Sequence, residues 1–262
     1  AEPAKRDTAP AIALAVGWVA KRNPKGVMMV LPADHLINDE ASFQAVMRNA
    51  CAAAGTTEAL VTVGLKPSWP CPSYGYIERA GEADLPEASC DMPVYEVERF
   101  REKPNPEQAQ AFLDEGTFSW NAGMFIWSVE TVIAELQKHV PELGAFIEEV
   151  AQCEDLPALL SEKFGTLPKI SIDFALMEKA QRVLNIEATF DWDDVGSWIS
   201  VAKYLKQDDN KNCTNCDVTQ IRANNNIIYS KEGSRVALLG VDDLIVVQTG
   251  DAILIAKREE LL

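Results

Sequence analysis

The chain has no apolar run approaching the roughly 20 residues of a membrane-spanning helix, and its first residues carry no signal-peptide pattern. No membrane partner is expected, and the reading is of a soluble, cytoplasmic protein. Basic charge is also scarce: 24 Lys and Arg stand against 40 Asp and Glu, for a formal net charge of -16. That balance leaves no electrostatic footprint for a phosphate backbone, so nucleic acid is not an expected partner. An anionic small substrate would need local lysines or a divalent cation to offset the overall field. The cysteines Cys51, Cys71, Cys90, Cys153, Cys213 and Cys216 lack the spacing of a disulfide scaffold and read as reduced thiols. Cys213-Thr-Asn-Cys216 has the spacing of half a zinc site or a redox pair, but no second pair accompanies it.

What is present is a chain able to bury a substantial core, with 262 residues of which 47% are hydrophobic. Its pivotal stretch is Val27-Met-Met-Val-Leu-Pro-Ala-Asp-His35, an apolar run that stops at proline. The run predicts a strand buried on both faces, as in a parallel sheet, with Asp34 just past its carboxyl end. In open α/β sheets ligands bind at that edge, although aspartate also serves simply as a turn residue.

Before that strand, Thr8 followed by Ala9-Pro10 predicts a capped helix within residues 1–23. After it, Asn38 or Asp39 caps a second helix with Phe43, Val46 and Met47 as its apolar stripe. Further strands are predicted over 59–63, 94–100 and 119–127. Helices are predicted over 106–115, over 129–163 with Pro141 dividing them, from a Ser171 cap to Ala180, and from Trp198 to about Leu205. The proline-rich stretch from Gly64 to Tyr76 reads as a loop. Alternating strands and helices predict an α/β fold with a mixed, mostly parallel sheet covered by helices on both faces. From 226 onward four short β-prone runs at even spacing predict a small all-β unit. The expected division is a core over 1–205 and a C-terminal β unit over 206–262.

Two carboxylates stand out, Asp34 after a strand and Asp194 between tryptophans before a helix. Carboxylates converging from distant positions are the usual way to hold Mg²⁺, which takes its remaining ligands from water and substrate phosphates. In Glu102-Lys103-Pro104 a carboxylate able to accept sugar hydroxyls sits beside an ammonium able to bind a phosphate. Asn121 offers a donor and an acceptor to a hydroxyl, Gly75 would let a ligand ring approach the backbone, and Asp173 lies in a helical first turn suited to ligand contact. Each is also compatible with a turn, a cap or an ordinary surface position.

Jointly these residues lie in phrases that resemble one family. Leu31-Pro-Ala-Asp-His35, Tyr74-Gly-Tyr-Ile77, Phe100-Arg-Glu-Lys-Pro104, Trp120-Asn-Ala-Gly-Met-Phe125, Ser171-Ile-Asp-Phe174, Met177-Glu-Lys179 and Trp192-Asp-Asp-Val-Gly-Ser-Trp198 occur in this order in the mannose-1-phosphate guanylyltransferases, also called GDP-mannose pyrophosphorylases. Val241-Asp-Asp-Leu-Ile-Val-Val247 extends the likeness into the tail. The resemblance implies a Rossmann-like nucleotidyltransferase core and an attack of mannose 1-phosphate on the α-phosphorus of GTP, giving GDP-mannose and pyrophosphate. It implies Asp34 and Asp194 as Mg²⁺ ligands, Lys103 on the sugar phosphate, Glu102 and Asn121 on sugar hydroxyls, and Gly75 near the sugar. Glu2, with Arg6-Asp7-Thr8-Ala9-Pro10 behind it, resembles the segment that reads guanine.

One departure qualifies the resemblance. The family's glycine-rich turn, followed by an arginine and a Pro-Leu-Ser phrase, has no counterpart before Gly26, so the expectation is a core truncated at its start, with little or no transferase activity of its own. A non-catalytic sugar-phosphate-binding or regulatory protein, or a transferase for another hexose 1-phosphate, are the competing readings. Open strand edges in the β unit suit a homo-oligomer, and an isomerase domain follows downstream in some relatives.

Overall fold

The computed structural model describes residues 2–86 and 90–261, so Ala1 lies outside the described residues. The chain separates into two compact units, residues 1–33 with 37–191, and residues 34–36 with 192–262. This division falls ahead of the expected residue 206. Leu36 and Asp193 exchange backbone hydrogen bonds of 2.8 and 3.1 Å, which ties the stretch after Asp191 to Asp34–Leu36.

In the first unit α1 spans Thr8–Ala20. Its cap is Asp7, whose carboxylate accepts from the Thr8 N–H, whereas the Thr8 hydroxyl accepts from the Ile172 N–H at 2.8 Å. Strand β1 (Val27–Val30) leads to α2 (Glu40–Thr56), capped by Asp39. There follow β2 (Leu60–Leu65), β3 (Tyr76–Glu82) and β4 (Val94–Arg101). Helix α3 (Pro106–Glu115) begins at an Asn105–Gln108 capping box and ends at left-handed Gly116, which is why its limits are legible in the residues. Then come β5 (Phe118–Ser128), α4 (Val129–His139), α5 (Pro141–Gln152), α6 (Leu156–Lys163) and β6 (Val183–Glu187). The helix expected from Ser171 to Ala180 is instead a single π-helical turn over Asp173–Met177.

The sheet runs β1-β5-β2-β6-β4-β3, with β5 also pairing β3. It is mixed, as expected, but not mostly parallel: among the described pairings only β2 with β6 is parallel. The reason is β5, whose 11 residues run antiparallel to β1, β2 and β3 at once. Nor is β1 buried on both faces. It pairs with β5 along one side, and Val27 and Met29 are 38% and 50% exposed. One face of the sheet, carrying Met28, Leu60, Phe125, Trp127 and Val183, forms a core with α1, α4 and α5. Helix α2 packs on β1, β2 and β5 through Val46, Met47 and Ala50. By alternation along the strands, Val61 and its register partner Ile126 turn to the side opposite that core.

The second unit holds α7 (Trp198–Ala202) and the strands β7 (Lys206–Gln207), β8 (Cys213–Thr214), β9 (Val218–Ile221), β10 (Ile227–Ser230), β11 (Val236–Leu239), β12 (Leu244–Gln248) and β13 (Ile253–Lys257). Strands β8, β10 and β12 stack in parallel, as do β9 and β11, while β7 and β13 run antiparallel to their neighbours. Successive coils are tied by buried asparagines. The Asn226 amide donates to Asn212 Oδ1 at 2.9 Å and to the Val241 carbonyl at 3.1 Å, and its oxygen accepts from the Leu244 N–H at 2.9 Å. The all-β expectation holds, and its form is a stack of parallel coils.

Candidate functional site

In the first unit the elements converge on a polar cluster at the carboxyl end of β4. That strand ends at Arg101, and Glu102 and Lys103 follow, Lys103 with a left-handed φ of 47°. The Lys103 ammonium stands 3.5 Å from Glu102 Oε1. The Glu102 carboxylate fills the space above Gly75: a Cβ there would lie 2.6 Å from Glu102 Oε2 and 3.2 Å from the Asn121 Cβ. The absence of a side chain at Gly75 thus leaves room for the Glu102 carboxylate beside it.

Asn121 owes its position to a bulge in β5. The β2–β5 register shifts between Thr62, opposite Phe125, and Gly64, opposite Asn121. Gly123 absorbs the irregularity with a φ of 65°, a region open to glycine. The Asn121 side chain is tied on both ends: Oδ1 accepts from the Gly123 N–H at 3.1 Å and the Thr62 hydroxyl at 3.2 Å, and Nδ2 donates to Asp173 Oδ1 at 3.2 Å. The Gly123 N–H engages one oxygen lone pair, and the Thr62 hydroxyl engages the other when its one hydrogen is turned from the Met124 carbonyl, so that one N–H is left for a ligand. In this arrangement the Asn121 side chain presents a donor.

Burial pushes the Asp173 carboxyl above its ordinary range, against its own backbone N–H, Asn121 and Lys103, which favour the charged form. Burial likewise raises Glu102, reinforced by the charge of Asp173 and opposed by Lys103. Two half-protected carboxyls, an amide N–H and an ammonium can grip vicinal hydroxyls beside a phosphate. Glu2 lies exposed ahead of α1, and no hydrogen bond joins it to this cluster among the described residues.

The second unit gathers Asp34, His35, Trp192, Asp193 and Asp194. The Trp192 indole N–H donates to His35 Nδ1 at 3.0 Å. Burial lowers the His35 imidazole below its usual range, while the charges of both Asp34 and Asp194 pull it upward. Asp193 is already committed: its carboxylate accepts from Lys203 at 2.8 Å, the Val195 N–H at 2.9 Å and the Tyr204 hydroxyl at 3.1 Å. Val195 holds a φ of 46°, a strained value for a β-branched residue and of the kind that clusters at working sites. Among the described residues no three His, Cys, Asp or Glu side chains gather to enclose a metal, Cys213 and Cys216 included.

Sequence reasoning missed Thr62 and Asp193. A lone threonine in an apolar strand reads as a strand former, and only the bulge opposite it reveals its partner. In Asp193-Asp194, the Lys203 ten residues later was the available signal for which carboxylate is tied down.

The Nucleotidyl transferase family model matches residues 1–211, and the MannoseP isomerase/GMP-like beta-helix domain model matches residues 217–260. The mannose-1-phosphate guanylyltransferase of Escherichia coli strain K12 is 40% identical over 98% of this chain and 54% of that protein. Its namesake from Sinorhizobium fredii strain NGR234 is 35% identical over 99% of this chain and 50% of that protein. The chain spans about half the length of these curated relatives. The crystal structure of mannose-1-phosphate geranyltransferase from Thermus thermophilus superposes with a TM-score of 0.83 at 31% identity, over 98% of this chain and 73% of that one. The chain belongs to the nucleotidyl transferase family, and its carboxyl-terminal coils are a beta-helix domain of the MannoseP isomerase/GMP-like kind.

Proposed function

We propose that this chain carries the machinery for guanylyl transfer from GTP to mannose 1-phosphate, yielding GDP-mannose and pyrophosphate. The observation that carries the reading is the first unit's cluster, in which Lys103 stands beside a carboxylate able to bind hydroxyls, with a second carboxyl and an amide N–H joined to it. In this reading Glu102, Asp173 and Asn121 hold the hexose hydroxyls, and Lys103 holds its phosphate. Glu2 reads guanine, whose N1 and N2 donors suit a carboxylate. Asp34 and Asp194 hold Mg²⁺, which when bound neutralises triphosphate charge. Such transfer depends mainly on positioning and charge neutralisation, so the protein needs no covalent intermediate. The setting is cytoplasmic, where nucleoside triphosphate is supplied, and the free thiols agree with it.

The β unit serves self-assembly in the same reading. Ile253 and Ile255 on β13 are each 66% exposed, on a strand whose outer edge is available for pairing. Light scattering of the whole chain and of a chain carrying Ile255→Lys tests this, a homo-oligomer reduced to monomer being the expected result.

The reaction is tested by pyrophosphate release with Mg²⁺, GTP and mannose 1-phosphate from a chain extended by the family's glycine-rich segment, repeated with ATP, UTP and dTTP and with glucose 1-phosphate. Release confined to the first combination is expected. Calorimetric binding of mannose 1-phosphate with no turnover under any nucleotide would favour a sugar-phosphate-binding protein, and turnover with another hexose 1-phosphate would move the substrate.

A further inference from the structure

We infer that Thr62 is a positioning residue that steadies the Asn121 amide in the facing set by the Gly123 N–H, so that Asn121 meets its ligand as a hydrogen-bond donor; the ligand's identity rests on the proposed sugar-phosphate reading. Thr62 lies at the centre of β2 and is fully buried. Its hydroxyl reaches Asn121 Oδ1 at 3.2 Å and the Met124 carbonyl at 3.3 Å. It therefore spans the bulge, touching both the side chain that the bulge presents and the backbone that closes it. Buried strand positions normally take an apolar side chain, and a hydroxyl there is retained at a desolvation cost unless it is satisfied.

Rotating the Asn121 amide by half a turn would set Nδ2 against the Gly123 N–H, donor against donor, and Oδ1 against the Asp173 carboxyl. The Gly123 N–H, which can only donate, selects the orientation. The Thr62 hydroxyl has one hydrogen; turned from the Met124 carbonyl to Asn121 Oδ1 it steadies that oxygen from the sheet side, and the remaining N–H is the polar hydrogen that the Asn121 side chain offers outward. Glu102 and Asp173 then supply acceptors and Asn121 the donor. A hydroxyl that both accepts and donates fits such a trio, and a carbonyl or ether oxygen, which cannot donate, satisfies only one member. Discrimination by a buried polar group left unpaired is the strong form of specificity.

The test compares Thr62→Val, which keeps the shape and removes the hydroxyl, with Thr62→Ser, which keeps the hydroxyl. In ¹⁵N-labelled protein the Asn121 side-chain amide pair, assigned by its loss in Asn121→Asp, should shift and exchange faster with solvent in T62V and stay in place in T62S. Calorimetric titration with mannose 1-phosphate should weaken about five- to tenfold in T62V, the scale of one misplaced hydrogen bond, with T62S near wild type and GTP affinity unmoved in both. Should T62V fail to fold, Thr62→Cys, which retains a weak donor, is read against T62S in the same way. An unchanged amide pair in T62V overturns the inference, and so does a disturbed pair with unchanged mannose 1-phosphate affinity. If the wild-type chain binds no mannose 1-phosphate, the sugar-phosphate reading fails while the amide spectra still decide what Thr62 does.

Discussion

Asn121 Nδ2 donates to Asp173 Oδ1 across 3.2 Å, joining a bulge in β5 to the π-helical turn that begins at Asp173. The bond ties an amide to a carboxyl that its surroundings would rather keep neutral. Function and stability therefore pull in opposite directions at this residue.

Asp173→Asn should make that opposition measurable. A carboxyl whose folded pKa is raised contributes stability that is present below its unfolded pKa and lost as pH rises through the folded value. Above its folded pKa the ionised Asp173 is thus a cost, and at pH 7 the neutral amide should raise the melting midpoint by about 2–4 °C. The gain should shrink toward zero as pH falls to about 4 and below, where the wild-type carboxyl is protonated in both states. Scanning calorimetry across pH checks this, and a variant less stable than wild type at pH 7 would mean that the hydrogen bonds of Asp173 fully offset its burial. Binding of mannose 1-phosphate should fall in the same variant.

Gly75→Ala should fold normally and bind sugar phosphate poorly. The added methyl meets the end of a flexible carboxylate, which can swing away, and the Asn121 Cβ at 3.2 Å, which must give by a few tenths of an ångström. Affinity for mannose 1-phosphate should drop about tenfold or more, with GTP affinity within about twofold. Loss of stability with intact affinity would place the carboxylate elsewhere in solution.

Lys103→Ala should raise the requirement for sugar phosphate about tenfold while leaving that for GTP nearly unchanged, as expected of a side chain that meets one substrate's phosphate. Steady-state kinetics with each substrate varied in turn measures it. Equal effects on both would contradict the role.

In a chain extended by the family's glycine-rich segment, Asp194→Ala should cut Mg²⁺-dependent turnover by at least about a hundredfold with the melting midpoint little changed, because a metal carboxylate serves charge and geometry. EDTA should act likewise on the wild type. Turnover retained at ordinary Mg²⁺ would remove Asp194 from the metal site.

Asn226→Ala should destabilise the coils by about 2–4 kcal/mol, since it strips partners from the half-buried Leu244 N–H, the Val241 carbonyl and Asn212 Oδ1 together. Urea denaturation followed by Tyr and Trp fluorescence reports the loss. A variant within experimental error of wild type would show that the ladder is decorative.

Local signals carried most of the element positions. Pro106 and the Asn105–Gln108 pair set α3, Pro141 divides α4 from α5, and the period-two alternation from Val94 announces β4. Strand direction was not legible, because it depends on the partner a strand finds: β5 reverses the sense of its neighbours through contacts with residues far away in the chain. Strand β6 escaped notice because Val183-Leu-Asn-Ile-Glu187 is five residues long with Asn185 at its middle. At the site, residue types marked Glu102, Lys103, Asn121 and Asp173 as a group. The facing of the Asn121 amide and the occupant of the space over Gly75 required the bulge, which no run of residues spells out.

The antiparallel turn of β13 against β12 has a bearing on how the coiled unit can change length. Parallel coils accept another coil wherever the asparagine register continues, because each layer meets only its neighbours. A reversed strand breaks that register on its side of the stack. Between Asn212 and Leu244 that register is continuous, so a whole coil inserted or removed there would leave the pairing of β12 with β13 as it is.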